Sequence, residues 1–208
     1  MYQTEAQLRE AICQVGRCLY EQGFAAANAG NISVRLGENR FLTTPTGVSK
    51  GAMTPDMLVL VDASGKVLGG EGRPSSELKM HLRVYARRLD IGAVVHAHPP
   101  YATSFAVIGR PPTEPLLAEA VVLLGPVALA PYATPSTEAV ADSVEPFLLN
   151  HNAILLANHG ALTYGPDLTT AHFRMETLEF YAKITALSQQ LGRPRALTPE
   201  QIEQLQRL

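Results

Sequence analysis

The stretch VVHAHPP, from Val94 to Pro100, is an apolar run of strand length with two histidines near its end, and two prolines stop it. Proline has no N–H to give to a strand ladder, so the run ends where the prolines begin. Side chains alternate along a strand, which places residues i and i+2 on one face about 7 Å apart. His96 and His98 therefore share a face at a strand end, and Ala97 points the other way.

Around this strand the chain alternates between helix-like and strand-like runs. Leu8, Ile12, Val15 and Leu19 recur every three to four residues after Thr4, and Gly23 closes an amphipathic helix that ends near Gln22. NISVR, FLTT and MLVLVD are short strands separated by the turn-rich LGEN and TPTGVSKGAMTP. A helix capped by Ser75 or Ser76 then runs to Leu89, with Leu78, Leu82, Tyr85 and Leu89 on one face. After AVVHAH come a helix over 101–107, the proline-flanked edge or irregular strand PVALAP and a helix over 137–149. The strand NAILLAN, the turn NHG, the strand ALTY, a long helix over 167–191 and a short one from Thr198 complete the chain. Mixed elements with short connections predict helices on the faces of one sheet, in a single α/β or α+β domain over 1–208. Strand direction does not follow from the pattern.

Composition narrows the partners. Apolar residues make up 46% of the 208 and charged residues 17%, without single-sign blocks, as in a compact folded chain. A net charge of -2 argues against nucleic-acid or anionic-membrane surfaces, which select clustered Lys and Arg. With no run of about eighteen apolar residues and no basic-then-apolar start, neither a membrane span nor a signal peptide is expected, and the predicted location is cytoplasmic. Cys13 and Cys18, five apart in the first helix, lack zinc-ribbon spacing and are expected as reduced thiols.

Two imidazoles still lack a third metal ligand. His159 is the best candidate, because it follows the apolar run AILLAN and precedes Gly160, where backbone can approach closely. His81, mid-helix, His151, in a polar turn, and His172, on the long helix, rank lower and are expected to be solvated or locally bonded. Three imidazoles leave an open coordination position, the arrangement by which catalytic zinc polarises a substrate oxygen. Glu77, in RPSSELKMH, has two readings. It is either a first-turn acid that favours the helix dipole, or a carboxylate beside the metal that serves as general base. The same helix start, with the hydroxyls of Ser75 and Ser76, can hold an anion. AGN, at Ala29 to Asn31, and TPTG, at Thr44 to Gly47, offer the amide, hydroxyl and glycine N–H donors that bind phosphate, and each is also ordinary turn composition.

In order, AGNISVR, FLTTPTGVSKG, RPSSELKMH, AVVHAHPPYATSFA, APYAT and ANHGAL resemble the class II aldolase/adducin family, most closely its L-fuculose-1-phosphate aldolase branch. The resemblance runs from about residue 5 to about residue 190. It implies a three-layer α/β/α sandwich around a central, largely antiparallel sheet, in a homotetramer with active sites between subunits. It also implies one Zn2+ per subunit on His96, His98 and His159, with Mn2+ or Co2+ as alternatives on the same imidazoles. Glu77 falls on the family's acid/base carboxylate. Asn31, Thr46, Gly47, Ser75 and Ser76 fall on the residues that hold the phosphate of a sugar phosphate.

The reaction implied is retro-aldol cleavage of a ketose 1-phosphate, L-fuculose-1-phosphate-like, to dihydroxyacetone phosphate and an aldehyde. The chain departs from that branch at Leu117, where an ungapped alignment back from APYAT expects a tyrosine that handles the aldehyde-side proton. Tyr101, Tyr132 and Glu119 are the candidates to replace it. Leucine there suits a less polar aldehyde, as from a 5-deoxypentulose or methylthioribulose 1-phosphate. The competing readings are epimerase, decarboxylase or dehydratase chemistry on the same metal site, and an adducin-like interaction module without catalysis.

Overall fold

The structure, a computed structural model, describes residues 4–207. Eight strands, β1 (Asn31–Gly37), β2 (Arg40–Thr43), β3 (Val59–Val61), β4 (Val67–Gly69), β5 (Ala93–Ala97), β6 (Val127–Ala130), β7 (Ala153–Leu156) and β8 (Gly160–Gly165), form one sheet. Their order is β4-β3-β2-β1-β5-β8-β7-β6, antiparallel at every pairing except the parallel β6–β7 pair. The helices are α1 (Glu5–Glu21), α2 (Leu78–Arg87), α3 (Pro100–Val107), α4 (Ala118–Leu123), α5 (Glu138–Val144), α6 (Leu168–Leu191) and α7 (Pro199–Leu205).

Strand alternation sorts the helices into layers. Ile32, Val34, Val95, Ala97 and Leu155 face one core with Ile12 and Leu19 of α1, Phe105 of α3 and Met175 and Leu178 of α6. Val94, Ile154, Leu162 and Tyr164 face a second core with Val84 and Tyr85 of α2 and Val140 and Val144 of α5. The result is a helix layer on each face of a mostly antiparallel sheet, as the resemblance implied. The proline-flanked β6 does lie at an edge.

Local chemistry places most boundaries where periodicity predicted them. Thr4 and Gln7 form a reciprocal capping box at the start of α1, and Asp167 accepts the Thr170 N–H at the start of α6. The second helix differs. Neither Ser75 nor Ser76 caps it: α2 begins at Leu78, Glu77 is its cap residue, and Ser75 Oγ accepts the Glu77 N–H at 3.3 Å. It also stops at Arg87, so Leu89 is 83% exposed, because Arg88 turns out of the helix to pair with Asp90. The 137–149 helix is broken in two, with a 3-10 turn over Glu145–Phe147, since Pro146 cannot donate into an α-helical ladder. Strand β4 and helix α4 have no counterpart in the periodicity, each being too short to show one.

The start of α3 matters most, because it follows His98 directly. Pro99, its cap residue, offers no side-chain acceptor, and Pro100 has no N–H. Thr103 N–H reaches Pro99 O, which leaves Tyr101 and Ala102. The buried carboxylate of Glu179, from α6, accepts both, at 3.0 and 2.9 Å. Replacing Glu179 by Ala leaves two N–H groups unpaired and is expected to lower stability by about 2 kcal/mol or more. The check is urea denaturation; an unchanged midpoint and slope would show that these bonds do not hold α3.

Candidate metal centre and anion cavity

Because β1 and β8 both run antiparallel to β5, one end of the sheet collects the last residues of β5 and the first residues of its two neighbours. Asn31 is paired directly with His96 in the ladder, and Gly160 opens β8 beside Ala97. His98 lies one residue beyond β5, its N–H bonded to Phe24 O at 2.7 Å. His159 lies in the β7–β8 turn rather than at a strand end, delivered there by Asn158 in a left-handed conformation (φ 55°). Gly160 is required by crowding: a Cβ there would sit 2.5 Å from His98 Cδ2 and 2.6 Å from Ala97 O.

The three imidazoles converge. Their ring centroids are 4.8 to 5.1 Å apart, and one ligand nitrogen from each lies within 4.8 Å of the others. The Nε2 atoms of His96 and His98 are 3.2 Å apart, close to the roughly 3.3 Å edge of a tetrahedron of zinc–nitrogen bonds. His96, fully buried, donates its Nδ1–H to Ala161 O at 2.9 Å, which fixes its tautomer and turns the Nε2 lone pair inward.

Glu77 comes from the other helix layer to meet them. Its Oε2 is 3.2 Å from His96 Nε2 and accepts the Asn31 amide at 2.9 Å, and its Oε1 is 3.2 Å from His159 Nε2. Burial pushes this carboxyl up, but the charge of His96 and the contacts with both histidines outweigh it and hold the group below its ordinary range. The structure places the Glu77 carboxylate beside the imidazoles. Burial, together with the neighbouring imidazoles, pushes His98 down to about 3, so it is neutral and its lone pair is available.

This donor set fits a divalent cation. The Nε2 atoms of His96 and His159 crowd against the two Glu77 carboxylate oxygens, and a cation among them would give these atoms a shared partner. Buried Asn31 Oδ1 and Glu77 Oε1 have no hydrogen-bond partner. The ligands are three imidazoles without cysteine, as in centres that keep a coordination position open.

Beside the imidazoles lies a polar cavity of about 130 Å³, which collects Asn31, Thr46, Gly47, Ser75 and Ser76 from three separate loops, with Glu77 and His98 in its wall. Gly47 takes a φ of 76°, open to glycine at no steric cost. Pro45 and Pro74 pair across an isolated bridge that brings the TPTG loop against the serines. Two contributors were not singled out in the sequence. Ser136, strained in the left-handed region at φ 67°, donates to Ser76 Oγ at 2.8 Å. Lys50 lines the cavity and is 1% exposed; the lysine in TPTGVSKG was the available signal.

Leu117 caps α4 and packs at the edge of the first core, whereas Tyr101 opens α3, Tyr132 is exposed after β6, and Glu119 is exposed on α4. None of the four is among the residues lining the cavity. His81 is not solvated: it is fully buried, and its Nδ1 bonds Ser33 Oγ at 2.8 Å, which also meets Tyr85 OH. His151 bonds Phe147 O locally, and buried His172 lies 3.8 Å from Glu176. Cys13 and Cys18 are free.

A sheet end carrying three imidazoles and a carboxylate beside a polar cavity defines an α/β/α protein with a candidate metal centre. The sequence pattern described as "Class II Aldolase and Adducin N-terminal domain" matches residues 10–186. The chain is 36% identical to the 3-oxo-tetronate 4-phosphate decarboxylase of Haemophilus influenzae, over 87% of this chain and 88% of that one. It is 34% identical to the 5-deoxy-D-ribulose 1-phosphate aldolase of Bacillus thuringiensis, over 95% and 92%. A solved L-fuculose 1-phosphate aldolase superposes with a TM-score of 0.90 at 32% identity, covering 100% of this chain and 97% of that one. The chain belongs to the class II aldolase/adducin family. No helix among the described residues is long and apolar enough to cross a membrane.

A carboxyl held low in the folded state stabilises the fold above its unfolded value, here 4.5, and that contribution is lost as pH falls below it. Metal-stripped protein should therefore lose stability between about pH 5 and 3 more steeply than Glu77→Gln. Thermal melts across that range check this, and parallel curves would show that Glu77 is not held ionised.

Proposed function

We propose that the protein catalyses zinc-dependent retro-aldol cleavage of a ketose 1-phosphate to dihydroxyacetone phosphate and an aldehyde. The observation that carries this reading is the convergence of three imidazole nitrogens with Glu77 at the wall of the polar cavity. His96, His98 and His159 would hold the metal. When bound, it supplies a Lewis acid at the substrate's oxygens, where negative charge develops as the C3–C4 bond breaks. Manganese or cobalt suits the same nitrogens.

The chain's own residues then have distinct tasks. Thr46, Gly47, Ser75, Ser76 and Asn31 surround the phosphate, a remote anchor whose binding energy fixes the reacting carbons against Glu77. Glu77, oriented by the Asn31 amide, would deliver to the carbon that becomes the hydroxymethyl group the proton that the C4 hydroxyl gives up as the aldehyde forms, which leaves Glu77 ionised again at the end. The Asn31 amide orients that carboxylate.

A second reading has a specific support. The relative at 36% identity is a decarboxylase, and the cavity of this chain lacks the tyrosine expected on the aldehyde side. Loss of carbon dioxide and loss of an aldehyde both leave electrons beside a carbonyl, so one metal centre serves either. Leu117 favours an aldehyde without polar groups, such as that released from a 5-deoxypentulose 1-phosphate. We also infer a homotetramer in which a neighbouring subunit closes the aldehyde side, supported by Phe173, Phe180 and Leu187, half-exposed at seven-residue spacing on α6. A monomer by light scattering at working concentration would remove that inference.

The deciding experiment incubates zinc-loaded protein with a panel of ketose 1-phosphates and with 3-oxo-tetronate 4-phosphate, detecting dihydroxyacetone phosphate and carbon dioxide separately. Release of dihydroxyacetone phosphate from a ketose 1-phosphate, abolished by chelation and restored by zinc, is expected. Glu77→Gln should retain zinc and lower kcat by about 100- to 10,000-fold. Carbon dioxide and dihydroxyacetone phosphate in equal amounts from 3-oxo-tetronate 4-phosphate, with no cleavage of any ketose 1-phosphate, would replace the aldolase reading by the decarboxylase one.

A further inference from the structure

Resting on the phosphate reading of the cavity, we propose that Lys50 is the fixed positive charge of that subsite, with the substrate's phosphate as its counter-ion. Its Nζ donates to Val48 O at 2.7 Å, just past the TPTG loop, and to Asn28 O at 3.2 Å, just before AGN. One ammonium thus ties together the two loops that carry most of the cavity's donors. Two carbonyls use two of its three N–H groups and leave one. Among the described residues, no carboxylate lies within ion-pair distance of it. A buried ammonium is costly unless a counter-charge accompanies it, and burial pushes this one down to about 8.

The cavity supplies the missing partner. Of the residues that line it, Lys50 is the only one basic at neutral pH, and Glu77 is the only acidic one. A phosphate dianion placed there meets a repelling carboxylate, and Lys50 is the lining group that opposes it. The lysine is also held rigidly. Its short 3-10 turn, Lys50–Ala52, packs on α1, where a Cβ on Gly16 would lie 2.9 Å from Lys50 O and one on Gly51 2.6 Å from the Tyr20 ring. That contact leaves the stem little freedom to swing out to solvent.

The test titrates inorganic phosphate into zinc-loaded wild type, Lys50→Met, Lys50→Gln and Lys50→Arg by calorimetry. In parallel, kcat and KM are measured for the accepted sugar phosphate and for its unphosphorylated ketose. The neutral variants are expected to bind phosphate about 10- to 100-fold more weakly and to raise KM for the sugar phosphate by a similar factor. KM for the unphosphorylated ketose should stay within about twofold, and Lys50→Arg should recover part of the loss. Neutral variants that bind phosphate like wild type would overturn the inference while leaving the cavity reading intact. An equal loss on both ketoses would also overturn it, by making the lysine's role purely structural. So would failure of both neutral forms to fold while Lys50→Arg folds. Wild type that binds no phosphate at all would instead overturn the cavity reading, and the assignment of Lys50 with it.

Discussion

The antiparallel pairing of β5 with β1 on one side and β8 on the other is the constraint on which the candidate site depends. It brings one strand's C-terminus and two strands' N-termini to the same end of the sheet. His96, Asn31 and the Gly160 backbone therefore meet at fixed ladder positions rather than on free loops. A ladder position is set by many hydrogen bonds at once, so these groups cannot drift independently. The flanking residues His98 and His159 inherit that order, one held by the Phe24 carbonyl and the other by a left-handed residue before it.

Electrostatics then explains why the helix layer contributes Glu77 as it does. Had Glu77 stayed within the first turn of α2, its carboxylate would have faced the helix dipole and solvent. As the cap residue, it reaches across to the imidazoles and the Asn31 amide instead. Burial disfavours an ionised carboxylate, and only neighbouring positive charge or donors reverse that preference. The same logic governs Lys50: each buried ion calls for an opposite charge, supplied by the imidazole centre for one and, on the proposed reading, by a ligand for the other.

Relatives at similar identity carry names for two kinds of bond cleavage, loss of carbon dioxide and loss of an aldehyde. On the proposed reading one centre would accommodate both, because in each the electrons must be held beside a carbonyl oxygen. What separates the outcomes is the group facing the departing fragment. Leu117, Tyr101, Tyr132 and Glu119 are not among the residues that line the polar cavity.

Residue patterns alone determined the existence of most strands and the long helices and the layered class, and singled out the three histidines that the fold brings together. His-x-His before Pro-Pro and His-Gly after an apolar run are local signals, governed by alternation and backbone sterics within a few residues. Motif order across the chain added the family and, through it, the antiparallel sheet. Periodicity misplaced the cap of α2 and ran it past Arg87, because the distant imidazoles that meet Glu77 bear on one end and the pairing of Arg88 with Asp90 on the other. The pairing of β5 with β1 and β8, the Lys50 bond to Asn28 O, the reach of Ser136 to Ser76 and the Glu179 carboxylate under α3 are contacts between residues 22 to 78 positions apart. Local propensity carries no information about which distant groups meet, so only the folded arrangement decided them.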